Sequence, residues 1–156
     1  MNFKFLIVLA IFFASCGDDK PSKTTTSTTT PKKEVVKEVT AQDADPMSNK
    51  GIGPIKSITL GELDDALVEK GQKAYKAKGC TACHKFSKRF VGPSLTGVTK
   101  RRSSEWIMNM ILNPGEMIQK DPIAKALLEE YSAPMANQNL TEEEARSVLE
   151  YFRTKE

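Results

Sequence analysis

The sequence predicts an all-α domain over residues 58–156, and three observations carry that prediction. Apolar residues recur there at helical spacing, cap residues stand at the starts of the apolar runs, and no segment alternates polar with apolar as a half-buried strand would. The length suits one domain with a buried core.

The first helix is expected from an Asp64 cap through Lys78, with Val68, Gly71 and Tyr75 at i, i+3 and i+7 on one face. A second covers Ser104 to Leu112, capped by Ser103 or Ser104 and stopped by Asn113-Pro114-Gly115. A third starts at Asp121, with Pro122 in the first helical position, and runs to Tyr131. The last opens on Thr141-Glu142-Glu143-Glu144, a capping box, and carries Ala145, Val148, Leu149 and Phe152 as its apolar stripe.

Between the first two helices lies Cys80-Thr81-Ala82-Cys83-His84, and His84 is the only histidine in the chain. Two thiols at this spacing followed by an imidazole form the pattern for covalent haem attachment: the sulfurs add to the two vinyl groups, and the imidazole becomes the proximal iron ligand. A thioredoxin-type redox couple competes for the same C-x-x-C, but it belongs to a βαβ context, and the flanking segments are helical. A zinc site would lack a fourth nitrogen or sulfur donor unless Cys16 or a carboxylate served. With no second histidine, the distal iron position falls to methionine, to a weaker ligand or to nothing.

The N-terminal part has another character. After Lys4, the apolar run from Phe5 to Ala14 is too short to span a bilayer, so residues 1–15 read as a signal peptide. Cys16, directly after Phe13-Ala14-Ser15, is similar to the cysteine of a bacterial lipobox. That likeness implies lipidation of Cys16 and a chain held at a membrane, exposed to the periplasm; plain secretion with an incidental Cys16 is the alternative. Residues 16–57 are rich in threonine and lysine, with no apolar period able to bury a core, and read as a flexible tether. Some 40 residues of such coil reach about 35 Å.

The attachment motif and the helix order together resemble the class I monohaem c-type cytochromes, over nearly all of residues 62–153. The resemblance implies the small cytochrome c fold: N- and C-terminal helices crossing, with two intervening helices, around one haem c bound through Cys80 and Cys83. In that family a glycine of the first helix packs against aromatic residues of the last, and Gly71, Tyr75, Tyr151 and Phe152 fit those places. Gly92-Pro93-Ser94-Leu95-Thr96-Gly97 is similar to the family's G-P-x-L-x-G segment, which implies that the Pro93 carbonyl accepts a hydrogen bond from the His84 ring. Met135, in the loop just before the terminal helix, falls where the family places its axial methionine. Proline precedes it here, as Pro134, where family loops often put one after it. Met117 remains the other candidate, read as lying in a loop after Glu116, while Met108 and Met110 read as core. The likeness also points Arg101, Arg102 and Trp106 towards the haem propionates.

A haem with His84 and Met135 as axial ligands has no open position for a substrate, so the expected role is electron carrier rather than enzyme. Charge is uneven along the chain. The net value is only +3, yet there are ten Lys or Arg and no acid between Lys70 and Arg102, whereas ten acids stand against five bases from Ser103 onward. Lys76, Lys78, Lys85, Lys88 and Arg89 surround the attachment site and suit a redox partner with an acidic docking surface. Lipid-anchored monohaem cytochromes of this kind are similar to those that feed terminal reductases or oxidases, nitrous oxide reductase systems included. A fixed haem subunit of a larger respiratory complex and a gas sensor with a labile methionine ligand are the alternatives. The export signal argues against nucleic acid as a partner.

Overall fold

The structure is a computed structural model, and it describes residues 45–156. The expected signal peptide, the expected lipidation site Cys16 and most of the expected tether lie outside the described residues. Among the described residues the fold is all-α, with five helices: α1 (Asp65–Ala77), α2 (Ser104–Leu112), α3 (Pro114–Lys120), α4 (Pro122–Tyr131) and α5 (Glu142–Arg153). Single 3-10 turns, Cys80–Ala82 and Val98–Lys100, punctuate the long connection between α1 and α2.

The caps explain why the helices start where they do. Asp64 accepts from the backbone of Ala66 and Leu67, Ser103 from Trp106, and Asp121 from Ala124. Thr141 and Glu144 make both halves of a capping box.

One helix was not expected. Asn113-Pro114-Gly115 ends α2 but also begins α3, so three helices, not two, intervene between the crossing pair. Proline at the first helical position loses no hydrogen bond, because that N–H has no intrahelical partner, and the same residue that stops one helix starts the next. Met117 therefore sits on a helix and not in a loop.

α1 crosses α5 in the most extensive helix contact of the domain. Gly71 makes the crossing possible: a Cβ there would lie 1.9 Å from the Ser147 carbonyl oxygen and 2.9 Å from the Val148 nitrogen. The glycine thus meets backbone, while the aromatic residues pack one turn further on. Tyr75 lies 5.8 Å from Tyr151 and 5.9 Å from Phe152 by ring centroids, and Phe86 meets Tyr151 edge-on at 5.4 Å.

The folded region also begins earlier than residue 58. The segment 45–58 is strapped across α2 and α3 by hydrogen bonds to buried side chains. Asn109, fully buried, accepts from the Ile55 amide at 2.9 Å and donates to the carbonyls of Lys50 and Ile55, standing in for a paired backbone. Asn113 donates to the Ile52 carbonyl, and Asn49 and Ser103 join the strap at its start. Ile52, Ile55, Ile58 and Leu60 pack on the core. That apolar spacing distinguishes the segment from the threonine-rich tether before it.

Candidate functional site

Past the end of α1 at Ala77, Gly79 takes the left-handed conformation, and the chain turns directly into the attachment segment. The tight turn places Cys80 and Cys83 side by side, with the His84 amide donating to the Cys80 carbonyl at 3.0 Å. No disulfide joins them; Cys80 is half-buried and Cys83 exposed. Burial pushes the Cys80 thiol above its ordinary range, and the neighbouring Cys83 adds to the shift.

His84 is held from two sides. Its Nδ1 lies 3.1 Å from the Pro93 carbonyl oxygen, the contact implied for that proline, and its own carbonyl accepts from the Tyr75 hydroxyl at 3.2 Å. A ring whose Nδ1 carries a proton towards a carbonyl presents Nε2 as its free, electron-rich face. Gly92 lies flat against the imidazole: a Cβ there would fall 2.6 Å from Cε1. The Gly92 amide in turn donates to the Cys83 carbonyl at 2.9 Å, so the 92–95 segment closes back on the attachment turn.

These residues line a cavity of about 590 Å³. Cys80, Cys83, His84 and Pro93 contribute to its wall, as do Met135 and its loop neighbours Ala133, Pro134, Ala136 and Gln138. The rest is largely apolar: Leu95, Ile107, Ile111, Ile118, Leu127, Leu128 and Val148 among others. A mostly apolar cavity of this size, with a few convergent polar groups, is what a large flat cofactor requires. Two thiols and a pre-oriented imidazole at its wall fit haem c.

Of the two methionine candidates, only Met135 lines the cavity. Met117 is completely buried elsewhere, and its sulfur accepts the Ile52 amide at 2.9 Å, which commits it to the strap. Met108 is core, as expected, whereas Met110 on the same helix reaches the cavity wall.

Arg101, Arg102 and Trp106 all line the cavity, so the structure brings the expected propionate group together. The indole N–H, however, is not free for a propionate: Trp106 Nε1 donates to the buried Asp121 carboxylate at 3.0 Å. Arg101 spends its guanidinium on the Thr96 and Ser94 carbonyls. Arg102 stacks 5.4 Å over the Trp106 ring, and burial first, then the Arg101 charge, lowers its affinity for a proton.

Asp121 was legible only as a cap, and Asn49 not at all, because each acquires its role from chain distant in sequence. The five basic residues around the attachment site are unequal. Lys78 pairs with Glu144 at 3.0 Å, Arg89 with Glu130 at 3.0 Å, and Lys85 bonds the Thr81 carbonyl while lying over Phe90. Lys76 and Lys88 are exposed, and so are the large apolar side chains Phe90 and Val91. Among the described residues, no three His, Cys, Asp or Glu side chains are grouped to hold a metal ion on their own.

Residues 68–156 match the family model described as Cytochrome c. The chain belongs to the cytochrome c family. Its members carry a covalently attached haem c and serve in electron transfer. A curated relative, cytochrome c-551 of Azotobacter vinelandii, is 43% identical over 37 residues, 24% of this chain and 45% of that protein; the chain thus spans about half of that relative's length. Among solved structures, a cytochrome c from Rhodothermus marinus is 48% identical, with a TM-score of 0.63, over 65% of this chain and 88% of the other. An engineered cytochrome c from the same organism is 44% identical, with a TM-score of 0.65, over 72% of this chain and 96% of the other. A form of that engineered protein bound to a carbene intermediate is 45% identical, with the same two shares covered and a TM-score of 0.63.

Proposed function

We propose that this cytochrome c is a membrane-tethered, periplasm-facing carrier of single electrons, with His84 and Met135 as the axial ligands of its haem and Cys16 as the lipid anchor. One observation carries the ligand assignment: the pre-oriented His84 and the Met135 loop line the same cavity, while Met117 is withdrawn into the strap.

Bound haem supplies a one-electron couple, and a thioether ligand biases it towards the ferrous form. The chain's own residues do the rest. Pro93 fixes the His84 ring, Gly92 keeps it flat, and the apolar wall excludes water. Filling both axial positions leaves no place for a substrate at the metal.

Outward, the carrier would present the exposed Lys76, Lys88, Phe90 and Val91 to a redox partner with an acidic surface, of the kind found on a terminal reductase or oxidase; nitrous oxide reductase is one such acceptor. The tether would allow the domain to swing between a donor and that acceptor.

Spectra of the oxidised and reduced holoprotein test the ligand set. Met135→Ala should abolish the thioether-to-iron charge-transfer band of the oxidised form and open the reduced form to carbon monoxide. Met117→Leu should do neither. A band that survives in Met135→Ala would overturn the assignment. The anchor is tested by fractionation, since Cys16→Ser should release the protein from membranes. Steering is tested by salt: the rate of electron transfer to an acceptor should fall steeply as ionic strength rises.

A further inference from the structure

Asp121 is 1% exposed and caps α4, but it is bonded well beyond what a cap requires. Its Oδ1 accepts from the Ala124 amide at 2.7 Å and from Trp106 Nε1 at 3.0 Å, and its Oδ2 accepts from Asn49 Nδ2 at 2.6 Å. Asn49 is itself 4% exposed and anchored: its Oδ1 accepts from the Gly51 amide, and its carbonyl accepts from the Ser103 hydroxyl. All three donors to Asp121 are neutral. A neutral asparagine or serine would cap α4 as well; a carboxylate differs in placing a full negative charge in the interior, which is costly without compensation.

The position of that charge is informative. Trp106 and Ala124, both bonded to Asp121, line the haem cavity, as does Arg102, which stacks on Trp106. Asp121 therefore stands directly behind the cavity wall, and low-dielectric surroundings let its field reach further than it would in water. It also faces the cation expected to meet the propionates, and its charge opposes the loss of a proton from Arg102.

We propose that Asp121, gripped by Asn49 of the strap, is a positioning residue that lowers the haem reduction potential by holding a fixed negative charge, and the Trp106 indole, behind the cavity wall. A negative charge there favours the oxidised iron over the reduced and offsets part of the positive charge of Arg102. Through Asn49, the same carboxylate ties the entry of the N-terminal segment to the haem surroundings. The inference rests on haem occupying this cavity, and not on any particular partner.

The test is the midpoint potential of the holoprotein, measured by spectroelectrochemistry beside its melting temperature. Asp121→Asn keeps an acceptor for Ala124 and Trp106 while removing the charge, and should raise the reduced-to-oxidised ratio several-fold at a fixed ambient potential. Because that variant sets two amides against each other, the double variant Asn49→Asp with Asp121→Asn restores a carboxylate–amide pair with the charge moved out to the strap. It should fold, with a potential between those of the parent and Asp121→Asn. A folded variant of either kind with the parental potential would overturn the proposal and leave Asp121 as a structural cap, whatever the change in melting temperature. Failure of the haem reading itself would look different, as the absence of haem c absorbance in the parent protein.

Discussion

Gly71 and Ser147 touch backbone to backbone: the Gly71 Cα is so close to the last helix that a methyl group would lie 1.9 Å from the Ser147 carbonyl oxygen. No side-chain rotation relieves such an overlap, because both partners are main chain. Gly71→Ala should therefore push α1 and α5 apart and destabilise the holoprotein by about 3 kcal/mol or more, at the top of the usual range for overpacking. Denaturant unfolding measures this. The nearby exposed change Gln72→Ala should have little effect.

Gly92 poses the same question at the cofactor. A Cβ would fall 2.6 Å from His84 Cε1, so Gly92→Ala must turn the imidazole or displace the 92–95 segment. Either movement disturbs the bond between Nδ1 and the Pro93 carbonyl, which sets the donor strength of Nε2. The expected result is a displaced potential and an altered low-spin spectrum, with a smaller loss of stability than for Gly71→Ala.

Burial pushes the Tyr75 phenol up to about 12, with the Cys80 and Tyr151 charges adding to the effect. The Cys80 contribution belongs to a free thiolate and disappears once the sulfur is a thioether. A raised pKa in the folded state contributes stability that is complete below the unfolded value of about 10 and is lost as pH climbs through the folded value. Unfolding free energy should therefore decline between about pH 10 and 12, and Tyr75→Phe should flatten that decline. Tyrosinate absorbance followed in the same titration identifies the group.

Arg89 clips the attachment side of the domain to the end of α4. It donates to the Glu130 carboxylate and carbonyl at 3.0 and 2.9 Å and stacks 4.0 Å from the Tyr131 ring, just where α4 runs into the Met135 loop. An exposed clip of this kind contributes about 1 kcal/mol or less to global stability. Its expected effect is local: Arg89→Ala should let imidazole displace the proposed Met135 ligand of the oxidised protein several-fold faster at nearly unchanged melting temperature. Stopped-flow mixing with imidazole measures the rate.

Glu144 completes the capping box, and the Thr141 amide, then Lys78, hold its carboxyl below the usual range. A depressed pKa contributes stability above the unfolded value that is lost as pH falls through the folded one. Glu144→Gln should accordingly reduce the acid sensitivity of unfolding below the ordinary carboxylate range, as read from denaturation curves across that interval.

Four helix starts were legible because capping is local chemistry: Asp64, Ser103, Asp121 and Thr141 each bond an amide two or three residues away. α3 was not, since Asn113-Pro114 signals a stop and a start in identical terms, and only the packing of Met117 against the strap selects the second. The strap is not legible in the sequence for a related reason. Its backbone partners are Asn109 and Asn113, more than 50 residues away, and isoleucines spaced through a polar stretch do not show what they cover.

The sequence by itself determined the chemistry of attachment, because two thiols and the single histidine stand within five consecutive residues, while the Pro93 contact was implied by the likeness of residues 92–97 to a family segment and is present at 3.1 Å. Only the tertiary structure put Met135 on the cavity wall, withdrew Met117 into the strap and turned the Trp106 N–H from the cavity to Asp121. Those outcomes depend on which side of a packed wall a side chain faces, and that is decided by helices and a strap meeting across long stretches of chain.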